Sequence, residues 1–264
     1  MILMDKEERD KILTKYEHVF KNEESYYGKK KVRSTQTFNL EDEQFFRLAN
    51  IKFRNLIGLL DGKKILDIGC GRGHISFYLA REGANVIGID LSESLIDHCK
   101  QEAEKLKLNL EFKIMNAQIP DFEDQTFDII IGSRAIHHLP NLDIFFKECK
   151  RLLKKKGYIV FIEPLKKNPI VELNRKYFAP KLRTKFEHPL LISDILKAKN
   201  IFGNIQHYEY FLISPFAMVI GRVIKNRHLF KTAYKILNIL EKPICKIRFF
   251  QDYCWQTVFK CTKN

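Results

Sequence analysis

The chain has 264 residues, 45% of them hydrophobic and 30% charged, enough apolar material for a sizeable core and too much for a disordered or collagen-like chain. The formal net charge of +14 is unevenly spread. Residues 1–164 hold 27 Lys and Arg against 26 acids, whereas residues 165–264 hold 19 against 6, so nearly all of the excess lies in the last hundred residues and points to an anionic partner or a solvated basic face.

The opening MILMDKEERDK runs at once into charge and offers no signal-peptide core. The longest apolar run, 211–221, is too short to span a bilayer and contains Pro215. Six scattered cysteines have no CxxC spacing, so reduced thiols, no metal site and a cytoplasmic location are expected. Residues 1–60 read as a mostly helical N-terminal cap. From Lys64, apolar runs alternate with helical patterns, the signature of βα units. Strands are expected at 64–68, 85–90, 110–115, 127–133 and 158–163, with helices at 73–81, 92–107 and 142–155, the second capped by Ser92. Beyond residue 165 the alternation loosens. A helix over 193–199 and strands at 204–211 and 253–261 remain, with a basic, apolar segment at 211–250 between the two strands. The expected class is α/β, a doubly wound, Rossmann-like sheet in residues 61–264 with an inserted helical lobe.

ILDIGCGRG at 65–73 sits where a strand hands over to a helix, so Gly69, Gly71 and Gly73 permit a tight turn and close approach of a ligand to the backbone. A dinucleotide fingerprint requires Gly or Ala at position 74, which is His74. Asp90 ends the second strand, placed to accept from vicinal ribose hydroxyls. The spacing therefore favours a nucleoside without a pyrophosphate.

LDIGCGRG, VIGIDLS, KIMNAQIP, FDIIIGSRAIHHLP and LLKKKGYIVFIEP, within residues 60–165, resemble the class I S-adenosylmethionine-dependent methyltransferases, in particular the small-molecule group similar to ubiquinone and menaquinone methyltransferases. The resemblance implies a seven-stranded sheet with its last strand antiparallel and S-adenosylmethionine as cofactor, released as S-adenosylhomocysteine. It places Asp67, Gly69, Gly71 and Gly73 beneath the methionine portion, Asp90 and Leu91 at the ribose, and Asn116 and Ala117 at the adenine; Ser133, at the end of strand four, is a further candidate for the cofactor site. At Asn116 the family often has Asp, and an Asn oxygen can still accept from an amine.

Methyl transfer to oxygen needs alignment and removal of a proton. Ligands of such sheets lie beyond the strands' carboxyl ends. His137 and His138 after strand four, with Glu163 at the end of strand five as partner, are the candidate base; His188, in the variable segment 183–191 with Arg183, is a further candidate. His74, His18 and His98 read as bystanders, and Tyr26 and Tyr27 could close over the ligand. The base-modifying signatures of nucleic-acid methyltransferases are missing after strand four, which disfavours the nucleic-acid reading that the basic region invites. A non-catalytic cofactor-binding sensor or subunit is the other alternative; the intact glycine, ribose and His-His positions argue against it. The segments at about 165–200 and 211–250 lie on the acceptor side, and the latter mixes Phe, Ile and Leu with eight basic residues and one acid. It suits a small, apolar or lipid-linked acceptor methylated at oxygen ahead of carbon and nitrogen, contact with an anionic membrane, or a helical lid that buries its apolar face on the domain.

Overall fold

The computed structural model describes residues 6–28, 40–178, 186–218, 220 and 226–264. Seven strands form one sheet: β1 (Lys64–Ile68), β2 (Asn85–Asp90), β3 (Glu111–Ile114), β4 (Phe127–Ser133), β5 (Leu153–Pro164), β6 (Gln206–Tyr210) and β7 (Gln256–Thr262), in the order β3-β2-β1-β4-β5-β7-β6. The first five are parallel, and β7 enters antiparallel between β5 and β6. This is the doubly wound architecture expected. The central strands are unbroken apolar runs because helices cover both faces of the sheet.

Alternation along the strands divides the core. Leu66, Ile68, Ile87, Ile89 and Ile130 face α5 (Leu142–Leu152) and α7 (Ile192–Phe202), whose Phe145, Phe146, Ile195 and Phe202 are buried. Ile65, Val86, Ile129, Ile131 and Val160 face the other way, toward α2 (Leu40–Ile57) and α3 (His74–Arg81). Within α4 (Glu93–Leu106), Leu95, Ile96, Cys99 and Ala103 make the buried stripe, and the helix ends at Lys107, in the left-handed region at φ 51°.

Two local expectations shift. Ser92 stands at the start of α4, yet its Oγ meets Ser94 Oγ at 3.1 Å and makes no cap hydrogen bond. The helix expected to reach 155 stops at Leu152, because Leu153 already pairs with Phe127 and begins a β5 longer than the 158–163 run. Asn141 caps α5, its Oδ1 accepting from Ile144 N at 3.1 Å.

Two helices precede the sheet, α1 (Lys6–Gly28) and α2. Arg9 ties α1 down by donating to Glu148 Oε2 at 3.2 Å and to the carbonyls of Ile119 and Pro120. At the C-terminal end of α2, Ile57 O accepts from Tyr158 and Leu56 O from Lys260 Nζ at 3.0 Å, which satisfies carbonyls the helix cannot pair itself. After β5 come α6 (Pro169–Phe178) and α7; between β6 and β7 lie α8 (Arg227–Ile244) and the short α9 (Arg248–Gln251).

Candidate active site

A cavity of about 600 Å³ opens at the carboxyl ends of β1, β2 and β4, where the strand order reverses. Its floor is the loop after β1. Gly69 has φ 63°, and a Cβ there would meet the Cβ of Ala135 at 2.6 Å, so glycine lets the loops after β1 and β4 touch. Gly71 has φ 54° and open space where a side chain would project. The backbone is thus bare toward the cavity at that point. Gly73 is not part of the wall; it starts α3 against Phe77, Phe112 and Cys99.

Two carboxylates stand at this floor. Asp90 Oδ2 accepts from Gly71 N at 3.0 Å and Oδ1 from Ser92 N at 2.9 Å, locking the glycine loop to the start of α4. Burial pushes its carboxyl up. Asp67 is buried, accepts from Ser76 Oγ at 2.6 Å, and is pushed up by burial to about 7. Both line the cavity, with Gly69, Cys70, Gly71, Leu91 and Ser133. Leu91, Leu95, Met115, Ala117 and Leu139 give one end an apolar lining suited to a flat ring. Asn116 is absent from that wall: its Oδ1 accepts from Gln118 N at 2.8 Å in a local turn, and its neighbours Met115 and Ala117 supply the lining.

The two histidines separate. His137 is buried behind the wall, with Nδ1 2.7 Å from Glu163 Oε2. Glu163, itself fully buried, spends Oε1 on Ala135 N at 2.9 Å and Ile136 N at 3.1 Å. This pair braces the turn after β4, and neither member lines the cavity. Burial holds the His137 imidazole below its ordinary range against the opposing pull of Glu163. The cavity-lining imidazole is His138, its ring centroid 4.2 Å from that of His137. Nδ1 of His138 lies 3.0 Å from Oε2 of Glu23, a buried carboxylate of α1 that also lines the cavity, though the two are out of hydrogen-bonding line.

His188 is exposed and outside the cavity wall; its ring Nδ1 lies 2.8 Å from Phe186 O, and its backbone N–H donates to His137 O at 3.1 Å. Arg183 lies outside the described residues, as does the side chain of Tyr27. Phe20 and Glu23, rather than Tyr26, are the α1 residues in the wall. His74, read from sequence as a bystander, lines the cavity, and burial lowers its pKa. His18 packs edge-on against Phe186, with ring centroids 5.5 Å apart. Among the described residues, His137, His138 and Glu187 place one ligand atom each within 4.8 Å of one another. No sequence spacing announces Glu187 there.

Residues 59–208, more than half of the chain, match the family model described as "Methyltransferase domain". The chain belongs to that methyltransferase family. A ubiquinone biosynthesis O-methyltransferase of Coxiella burnetii (strain RSA 493 / Nine Mile phase I) is 41% identical over 102 residues, 39% of this chain and 44% of that protein. The chain thus spans less than half of that relative's length. Two solved structures share the fold. Phosphoethanolamine N-methyltransferase 2 of Haemonchus contortus, solved with phosphomonomethylethanolamine and S-adenosylhomocysteine, has a TM-score of 0.59 at 21% identity over 84% of this chain and 56% of that one. Geranyl diphosphate C-methyltransferase of Streptomyces coelicolor has a TM-score of 0.58 at 15% identity over 93% of this chain and 97% of that one. The sheet order and these likenesses give the class I S-adenosylmethionine-dependent methyltransferase fold.

Proposed function

We propose that this methyltransferase-family protein transfers the methyl group of S-adenosylmethionine to an oxygen of a small, lipophilic acceptor, with His138 as the base. The observation that carries the reading is the presence, in one cavity, of the bare glycine floor, the Asp67 and Asp90 carboxylates, and an imidazole backed by a carboxylate. The donor set fits the cofactor: carboxylates for the amino group and ribose hydroxyls, an apolar slot for the adenine, and Gly71 leaving the floor open. When bound, the cofactor supplies an activated methyl group on a sulfonium.

The protein's own residues then align and deprotonate. Asp90 positions the ribose while holding Gly71, and Asp67 receives the cationic amino group. Phe20, Phe53, Ile57 and Tyr78 enclose the acceptor side and exclude water, with Asn50 and Arg54 as its polar groups. His138 accepts the hydroxyl proton through a ring nitrogen, and Glu23 stabilises the resulting imidazolium. Glu163 and His137 keep the His138 turn in place.

Calorimetry with S-adenosylhomocysteine tests the cofactor assignment. Micromolar-range binding is expected, and Asp90→Ala should weaken it by about 1.5–3 kcal/mol through loss of charge-assisted hydrogen bonds. NAD binding better than S-adenosylhomocysteine would overturn it. Incubation with S-adenosylmethionine and a panel of alkylated catechols and hydroquinones, read by mass spectrometry for a gain of one methyl group, tests the acceptor class.

A further inference from the structure

The lobe between β6 and β7 has two faces. Along α8, Phe230, Asn238 and Glu241 are buried, and Cys245 continues that stripe beyond the helix. The opposite face leaves Leu229, Ile236, Ile239 and Leu240 exposed, each with 40% or more of its surface in solvent. Ile247 and Phe249, exposed at 51% and 70%, extend the apolar surface into α9. At helical spacing, Leu229, Ile236, Leu240 and Pro243 fall in one row, and Lys231, Lys235, Lys242 and Lys246 in a second row beside it; all four lysines are exposed. Glu241 is the lone acid of residues 211–250, and it turns inward, accepting from Ile213 N at 2.8 Å, Ser214 N at 2.8 Å and Ser214 Oγ at 2.7 Å. Glu241 therefore does not neutralise the lysine row.

We propose that the outer face of α8, with Ile247 and Phe249, is an interfacial anchor that lies on an anionic lipid bilayer. Exposed large apolar side chains in a row, flanked by lysines whose stems can run along them, match an interfacial helix with the apolar row in the acyl boundary and the ammonium groups at the phosphates. No helix among the described residues is long and apolar enough to cross a membrane, so contact at the surface is what this face supports. A second copy of the chain is a poorer occupant, because antiparallel two-fold pairing of this face would bring the two lysine rows together on one side.

The buried face of α8 joins the core cluster that also holds part of the cavity wall. Phe230 packs in the same cluster as Phe53 and Ile57 of α2, which line the cavity wall. A docked lobe would set that wall beside the bilayer. The anchor stands on the surface residues alone; its use, supplying a lipophilic acceptor, rests on the proposed function.

The test is cosedimentation of the full chain with vesicles of phosphatidylcholine alone and of phosphatidylcholine with 30% phosphatidylglycerol. Binding to the anionic vesicles is expected, with release as salt rises. Lys231→Gln, Lys235→Gln, Lys242→Gln and Lys246→Gln should each weaken it roughly fivefold. Ile239→Ser with Leu240→Ser should weaken it about tenfold or more while leaving S-adenosylhomocysteine affinity unchanged, which shows that the variant is folded. Equal pelleting of wild type and variants, no pelleting with anionic vesicles, tighter binding of tRNA at the same ionic strength, or dimerisation lost in Leu240→Ser without vesicle binding would each overturn the anchor. Vesicle binding without methyl transfer to any acceptor would keep it and sink the proposed function instead.

Discussion

Nδ1 of His138 lies 3.0 Å from Oε2 of Glu23, so a carboxylate carried by the first helix backs an imidazole carried by the turn after β4. The wall of the site is completed by a helix that precedes every strand of the sheet.

The first prediction separates the adjacent histidines. His138→Ala should lower kcat by roughly 10²–10⁴ with little change in cofactor affinity. Glu23→Gln, which keeps shape and removes charge, should lower kcat by about tenfold, because a neutral partner no longer stabilises the imidazolium formed as the proton is taken. Steady-state rates check both. A His138→Ala enzyme with a near-normal kcat would place the base elsewhere.

Glu163 behaves differently. Its carboxylate holds two backbone N–H groups and His137 in a fully buried position. Glu163→Gln should cost about 2–4 kcal/mol of unfolding free energy in urea denaturation, since an amide cannot accept at both ends. Cofactor affinity in the folded fraction should change less than about threefold, because Glu163 does not reach the cavity.

Asp67 makes the apo protein pH-sensitive. Its folded pKa of about 7 lies well above that of an unfolded aspartate. The stabilising contribution is therefore complete below about pH 4 and is lost as pH rises through 7, amounting to up to about 4 kcal/mol. Asp67→Asn should flatten the loss of thermal stability between pH 4 and 7 and raise Tm at pH 7.5. The same substitution should weaken S-adenosylhomocysteine binding. In the wild type, binding below pH 7 should release a proton, measured as a dependence of the calorimetric enthalpy on buffer ionisation.

Gly69→Ala confronts two penalties, the 2.6 Å approach to Ala135 and the φ of 63°. Together they should cost about 2–4 kcal/mol in chemical denaturation. Gly69→Ala with Ala135→Gly should recover the steric part and leave about 1 kcal/mol from the backbone. Full recovery would show that φ carries no cost there.

The sheet and the floor of the site could be read from the residues because both are local. Buried parallel strands are continuous apolar runs, and the loop after β1 needs glycine where L side chains would strain or collide. The histidine assignment was a different matter. Successive residues of a short 3₁₀ turn, Ile136–His138, point about 120° apart, and nothing in the pair HH says which one faces the cavity. Asn116 turns its side chain into a local turn with Gln118, and its neighbours Met115 and Ala117 supply the wall. Glu23, Asn50 and Arg54 carry no motif. They reach the cavity through the packing of α1 and α2, which Arg9, Tyr158 and Lys260 secure over long sequence distances. The extra length of β5 depends on Leu153 meeting Phe127, again a tertiary pairing.

Tyr210 and Gln256 face each other across the β6–β7 ladder, with all of residues 211–255 looped out between them. Among the described residues, edge strand β6 has no neighbour in the sheet other than β7, and β7 must first settle on β5. Closing so long a loop before any ladder bond forms is entropically slow, so this corner should assemble last, on a scaffold of β1–β5 that has already formed. It should also be the first to open, with amide hydrogens of β6 exchanging ahead of those in β1 and β4. The lobe that carries the basic and apolar surface is thus joined to the catalytic scaffold through its most labile edge, free to yield without disturbing the glycine floor.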